Sequence, residues 1–319
     1  MPFDEYQQLM RQRRYEEAAR HAEREAQNGT DSDEFWLTQQ AKALVRSNNF
    51  SAGLEIAQRA LDRDPSNPYA VAVTADALSG LDLQEKALDC YEEILASPRL
   101  VRKGRIGVLR CLSALKRWEE LLQRIESWGM PEAEALPWSV KAFGATGQEE
   151  EALEACRRWL ALEPHSPPAL WERTELEIRT QGMEAVLEKM GRLVRIQSLP
   201  KIYGEIYASL CRRAGRPDDA IKAYERLGAE GEQVKIQKKK VFTMAKSGRE
   251  MEAIPLLEEL LKAEPADIYV HASYGAACRR VGDLERAVNF YHQLLGLYPE
   301  ERGLYGRIKR LQKQLETGR

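Results

Sequence analysis

Seven prolines in this chain fall on a ruler. Pro65, Pro98, Pro131, Pro164 and Pro200 are 33, 33, 33 and 36 residues apart, and Pro265 and Pro299 follow 34 apart. A second ruler runs inside the first: Ala18, Gly53, Ala87, Leu121, Ala152, Leu187, Ala220, Ala253 and Ala287, at steps of 31 to 35. A fixed period near 34 marks an array of small helical units, each contacting only its neighbours. Such a chain can lengthen without a central core, so 319 residues need not mean two domains.

The segment 268–301 is the clearest unit, and its residues explain its shape. Apolar side chains recur at helical spacing, first Tyr274, Ala277 and Cys278, then Ala287, Phe290, Tyr291, Leu294 and Leu295. Between the two runs stands Gly282, which ends a first helix because it accepts a left-handed backbone. Asp283 follows and can cap the N–H groups of a second helix. Pro299 lacks an N–H and stops that helix. Gly275 and Ala287 are small, and the expectation is that they face each other where the two helices meet.

These residues, in this order, resemble a tetratricopeptide repeat: a 34-residue helix pair with a small residue within helix one, Ala early in helix two, an aromatic after it and Pro at the end. The resemblance runs through the chain. It is carried by Leu37, Ala41, Leu44, Gly53, Ala57, Ala60 and Pro65; by Ala75, Leu78, Ala87, Tyr91 and Pro98; by Phe143, Gly147, Ala152, Cys156, Leu160 and Pro164; by Tyr207, Ala208, Gly215, Ala220 and Tyr224; and by Gly248, Ala253, Leu257, Leu260 and Pro265. Two stretches depart from it. Residues 101–132 have Leu109 and Leu121 where small residues are expected, and 167–199 have Trp171 but no clear small pair. The resemblance implies an all-α fold: a right-handed superhelical solenoid of about nine helix-turn-helix repeats in one domain over 1–319. The units expected are 1–33, 34–67, 68–100, 101–132, 133–166, 167–199, 200–233, 234–267 and 268–301, closed by a capping helix over 302–316.

Composition fits an ordered chain, 43% hydrophobic and 31% charged, with net charge -2. The charge is uneven: 201–319 carries 22 Lys and Arg against 17 Asp and Glu, and the remainder 26 against 33. Neither part is basic enough for nucleic acid to be the expected partner. No apolar run approaches a membrane span, and the charged start of the chain has no signal-like apolar stretch, so a cytoplasmic location and no membrane partner are expected. Five cysteines without a CxxC spacing read as buried reduced thiols.

Relatives of this family place ligands in the groove lined by first helices, as extended peptides or partner helices. By alignment to the repeat, the groove of the C-terminal half holds Arg212, Arg213, Lys235, Lys238, Lys246, Arg279 and Arg280, with Phe242 and Tyr269 as aromatic candidates. Lys103, Arg110 and Lys141 add to it in the middle units, and Phe35 and Tyr69 stand at corresponding places earlier. A stripe of like charge attracts an acidic segment. Some relatives clamp terminal carboxylates with Lys, Asn and Arg, but here the asparagine positions hold Ser209, Phe242 and Ala276. The six tryptophans read as packing residues.

Signs of catalysis are missing. His21, His165, His271 and His292 have no second ligand at helical spacing, so no metal site is expected. There is no phosphate-binding glycine motif and no cofactor signature. The runs Glu149–Glu151 and Glu258–Glu259 read as helix-start or exposed carboxylates, and Lys238–Lys240 as a solvated face. The expected function is a non-catalytic protein–protein interaction scaffold or adaptor, binding a peptide or partner helix, with an acidic one expected at the C-terminal half. The alternatives are a self-assembling repeat protein, a homo-oligomer joined through Leu304, Tyr305, Ile308, Leu311 and Leu315, or a peptide-sensing regulator.

Overall fold

The structure is a computed structural model that describes residues 2–28, 33–196, 199–228 and 233–317, with the side chain of Gln233 left aside. Among the described residues there are nineteen α-helices, one 3-10 turn and no strand. Two compact units divide the chain, Met1–Leu162 and Glu163–Arg319. The first holds α1 (Pro2–Arg11), α2 (Tyr15–Asn28), α3 (Asp33–Arg46), α4 (Phe50–Arg63), α5 (Pro68–Gly80), α6 (Gln84–Glu93), α7 (Val101–Ala114), α8 (Trp118–Ser127), α9 (Glu132–Ala145) and α10 (Glu149–Leu162). The second holds α11 (Pro167–Gln181), α12 (Met183–Leu193), α13 (Lys201–Arg213), α14 (Pro217–Gly228), α15 (Gln233–Met244), α16 (Glu250–Ala263), α17 (Ile268–Val281), α18 (Leu284–Leu297) and α19 (Gly303–Thr317). Within each unit helices pair in order and pack on their sequence neighbours, which is the connectivity of a helical-repeat array. The expected joins at 33/34 and 233/234 border segments, 29–32 and 229–232, that lie outside the described residues.

Eight of the nine pairs turn the same way; in α11–α12, Gly182 has φ 86° and ψ 157° and its own N–H donates to the Ile178 carbonyl instead. In the eight, the first helix ends on a residue with left-handed backbone, and the next N–H donates five residues back: Asn49 to the Leu44 carbonyl at 2.9 Å, Leu83 to Leu78 at 2.9 Å, Asp283 to Cys278 at 2.9 Å. That bond satisfies a carbonyl the helix end would otherwise orphan. Gly282 has φ 80°, and the Asp283 carboxylate accepts from the Arg286 N–H at 3.0 Å, the turn and cap read from the residues. Side-chain caps recur at Asn67 and Asp267, each accepting two N–H groups at the start of its helix.

The core is a string of local clusters rather than one body. Tyr6, Ala18, Trp36 and Ala43 form the first, and Tyr274, Phe290, Tyr291, Leu304, Ile308 and Leu311 belong to the last. Small residues do their expected work in the pair α3–α4: a Cβ on Gly53 would sit 2.7 Å from Val45 Cγ2 and 3.3 Å from the Ala41 carbonyl oxygen. The expected Gly275–Ala287 contact does not form. Around Gly275 a Cβ would meet only Arg279 Nη1, at 3.7 Å. The reason is the aromatic filling between α17 and α18, where Tyr274 packs on Phe290 and Tyr291 with ring centroids 5.1 and 5.6 Å apart. These rings hold the backbones apart and remove the need for a small pair.

Helix α19 closes the chain as a cap, burying Leu304, Ile308 and Leu311. Those three are therefore spent inside the unit and are not open for self-assembly; Tyr305 and Leu315 are exposed. Four of the five cysteines are buried and Cys90 half-buried, all as free thiols. Burial pushes the Cys111 and Cys278 thiols up to about 11, which keeps them protonated and inert. No helix among the described residues is long and apolar enough to cross a membrane.

Candidate functional site

The first helices of the second unit, α13, α15 and α17, carry the candidate cations, and the structure sorts them into two kinds. Three are tied down. Arg213 makes a two-pronged bond to Glu175, with Nη2 3.1 Å from Oε2 and Nη1 on Oε1. Arg280 donates to the Ala245 carbonyl and, at 2.7 Å, to Glu250. Lys238 donates to Asp267 at 2.7 Å and to Glu264 at 2.6 Å. These carboxylates hold its ammonium charged to higher pH than usual. Burial pushes the Asp267 carboxyl up, but Lys238 and the Tyr269 and Val270 N–H groups overcome it and hold the group low. Lys238 thus fastens α15 to the capped start of α17, two neighbouring pairs.

The other four are free. Arg212, Lys235, Lys246 and Arg279 are exposed and make no ion pair with any described carboxylate. Arg212 and Arg279 lie in the last turns of α13 and α17, and Lys235 in the first turn of α15. Lys246 sits in the turn after α15 rather than within the helix. Tyr269 is 73% exposed at the start of α17, an unusual outlay of aromatic surface. Phe242 is half-buried and packs on the core of the last pairs.

The lysine run is not a solvated face. Lys239 reaches Glu205 at 2.5 Å on α13, and Lys240 stands 3.7 Å from Glu225. All three lysines of the run are ties between helices. Glu258 is likewise not an exposed carboxylate: it accepts from the Tyr274 hydroxyl at 2.9 Å and from Arg286 at 2.8 and 3.0 Å.

In the first unit the charged groups centre on Asp76 of α5. Its oxygens accept from the Tyr91 hydroxyl at 2.6 Å and from Lys103 Nζ at 2.7 Å. Lys42 of α3 keeps accessible surface, yet enough protein surrounds it that burial, and then the Lys103 and Arg46 charges, push its ammonium pKa down. The Asp76 carboxylate, already bonded to Lys103, pulls the other way and offsets this only in part. Sequence reading passed over Lys42 and Arg46. The signal was available: Lys42, Asp76, Arg110 and Lys141 each stand eleven residues before Gly53, Ala87, Leu121 and Ala152, the offset at which Ser209, Phe242 and Ala276 precede their own anchors. Arg110 and Lys141 are exposed, while Tyr69 is 46% exposed and Phe35 packs edge-on against Trp36 at 5.3 Å.

Tryptophans serve packing. Trp36 is fully buried and Trp159 nearly so. Trp118, Trp128 and Trp138 lean on the core of the middle pairs, and Arg105 and Arg124 lie over the Trp128 ring at 5.5 and 5.9 Å.

Comparison with known proteins agrees with this geometry. Residues 38–99 and 271–305 match tetratricopeptide repeat family models. No curated protein sequence matches the chain. Among solved structures the chain is similar to a tetratricopeptide repeat protein from Parabacteroides merdae, with 12% identity over 76% of this chain and 97% of that one and a TM-score of 0.55. It is also similar to PilW, a type IV pilus biogenesis factor, with 18% identity over 66% of this chain and 99% of that one and a TM-score of 0.46. MamA from Desulfovibrio magneticus gives 16% identity, 54% and 100% coverage, and a TM-score of 0.45. The first likeness is one of fold; the other two are too loose to bear on the argument.

Proposed function

This chain belongs to the tetratricopeptide repeat family, and on that premise we propose that it is a non-catalytic scaffold that holds an acidic peptide segment against the first helices of its C-terminal unit. The family's fold is a protein-interaction fold, and that much is common ground with its relatives. The finer reading rests on one observation. In a unit where Arg213, Lys238, Lys239, Arg280 and Arg286 all have carboxylate partners, Arg212, Lys235, Lys246 and Arg279 have none among the described residues, and Tyr269 is left exposed at the start of α17. Unpaired cations on consecutive repeats raise the local concentration of an acidic chain and speed its encounter. The exposed Tyr269 on the same set of helices supplies an aromatic anchor of the kind on which binding energy concentrates.

The test is a titration of a glutamate-rich peptide into the full chain and into the variant Arg212→Glu, Lys235→Glu, Lys246→Glu and Arg279→Glu. Lys238 and Arg280 are left alone because they hold helices together. The variant is expected to lose about tenfold or more in affinity, with an unchanged thermal melt, and the parent's affinity to fall as salt rises. Equal binding by both chains would sink the groove reading.

A further inference from the structure

A second concavity in the unit Glu163–Arg319 shares no residue with the cations above. α12, α13 and α14 enclose a cleft of about 740 Å³, the size of a small-molecule site. Its apolar lining comes from Val194, Leu199, Ala223 and Leu227. Two glycines let its walls close in. A Cβ on Gly191 would stand 3.3 Å from Tyr207 Cε2, and one on Gly204 would stand 2.8 Å from Leu227 Cδ2. Tyr203 completes the lining, its ring edge-on to His165 with centroids 6.4 Å apart.

The charge around this cleft is one-sided. Asp219, Lys222, Ala223, Arg226 and Leu227 form one stripe of α14 and all line it. Asp219 is already taken by Arg216, at 2.9 Å from Nε and 2.7 Å from Nη2. Arg195, in the turn after α12, joins Lys222 and Arg226. All three are exposed, and none makes an ion pair with a described carboxylate. These three cations, with no described carboxylate partner, border an apolar, tyrosine-bearing floor: the floor favours a ring or alkyl body, and the cations favour a multiply charged head. A carboxylate would answer one of them. A phosphate monoester, with close to two charges and three acceptor oxygens, answers all three through charge-assisted bonds.

We propose that this cleft binds a small phosphorylated molecule with an apolar or aromatic body, its phosphate on Arg195, Lys222 and Arg226 and its body against Leu199, Tyr203 and Leu227. This site is independent of the peptide groove, and each can fail without the other. The experiment is calorimetric titration of the full chain with 1-naphthyl phosphate, beside 1-naphthoate and 1-naphthol. The phosphate is expected to bind tightest, at least about tenfold tighter than naphthol, and to weaken with salt. Lys222→Ala with Arg226→Ala is expected to remove about tenfold or more of that affinity while leaving the thermal melt unchanged, since both side chains are exposed. Tyr203→Ala is expected to weaken the naphthyl ligands and to leave inorganic phosphate binding as it was. The proposal is overturned by equal binding of the three naphthyl probes, by unchanged affinity in the double variant, or by no binding of 1-naphthyl phosphate at millimolar concentration.

Discussion

The first four helix pairs and the last five use glycine for different purposes. In the first four, the left-handed turn residue carries a side chain: Arg13, Asn48, Asp82 and Lys116, with φ between 59° and 63°. In the last five it is Gly147, Gly182, Gly215, Gly248 and Gly282, with φ between 69° and 86°. Each of the nine stands five residues before the second-helix anchor of its pair. The early pairs place glycine inside helices instead. Gly53, Gly80, Gly104 and Gly107 are sites where a Cβ would collide with Val45, Phe50, Leu95 and Tyr91. At the five turn glycines a Cβ would meet nothing within 4 Å. One residue type thus meets two unrelated demands: the five later turns use it for backbone freedom, while helix interiors use it for close approach, in the early pairs and again at Gly204 against Leu227. The turn keeps its shape without glycine because the bond that closes it, such as Arg117 N–H to the Leu112 carbonyl at 2.9 Å, is made by the backbone and by the packing of the pair.

Substitutions at these positions can break that comparison. Gly107→Ala should be the most damaging, by about 1–3 kcal/mol, because the Tyr91 ring it would meet is buried and fixed by its bond to Asp76. Chemical unfolding measures it, and a loss below half a kcal/mol would mean the ring has room to yield. Gly282→Ala should cost about 1–2 kcal/mol from backbone strain alone, with no clash. Its loss should be confined to the last pairs in hydrogen exchange, since repeats couple only to neighbours. Two changes should stabilise. Lys116→Gly relieves a left-handed side-chain residue and should gain about 0.4–1 kcal/mol net of the glycine's entropy, while Gly275→Ala should gain about 0.5–1 kcal/mol because it adds helix propensity in open space. A loss from Gly275→Ala would restore the expected tight contact with Ala287.

The smallest effect concerns pH in the last pair. His271 is buried between the Tyr291 hydroxyl at 3.2 Å and the Pro265 carbonyl at 2.8 Å. Burial pushes its pKa down, and the Pro265 bond offsets this only in part; Arg307 lowers it further and Asp267 raises it. The unfolded chain therefore takes up this proton first as pH falls below the ordinary value of 6.5. Stability is full above that value and is lost with acid. The unfolding midpoint should drop between pH 7.5 and 5 in the parent and drop less in His271→Gln.

Much of the fold was legible because its determinants are local or strictly periodic. Gly282, Asp283 and Pro299 each act within a few residues, so their roles could be read from type alone. Gly275 was misread because its environment depends on Tyr274, Phe290 and Tyr291 standing between the helices, and a small residue looks the same whether or not something approaches it. The candidate site was legible only as a set. Arg212 and Arg213 are adjacent and alike, yet one has no described carboxylate partner and the other is bound to Glu175, 38 residues away.

The residue pattern by itself determined the period, the helix pairs, their turns and the closing helix, because each follows from side chains within one repeat length. Tertiary structure alone decided which cations are spent as ties and which remain available. Ion pairs such as Lys238–Asp267 and Arg280–Glu250 join residues about 30 apart, across neighbouring helices, and charge carries no mark of its partner until the helices are stacked.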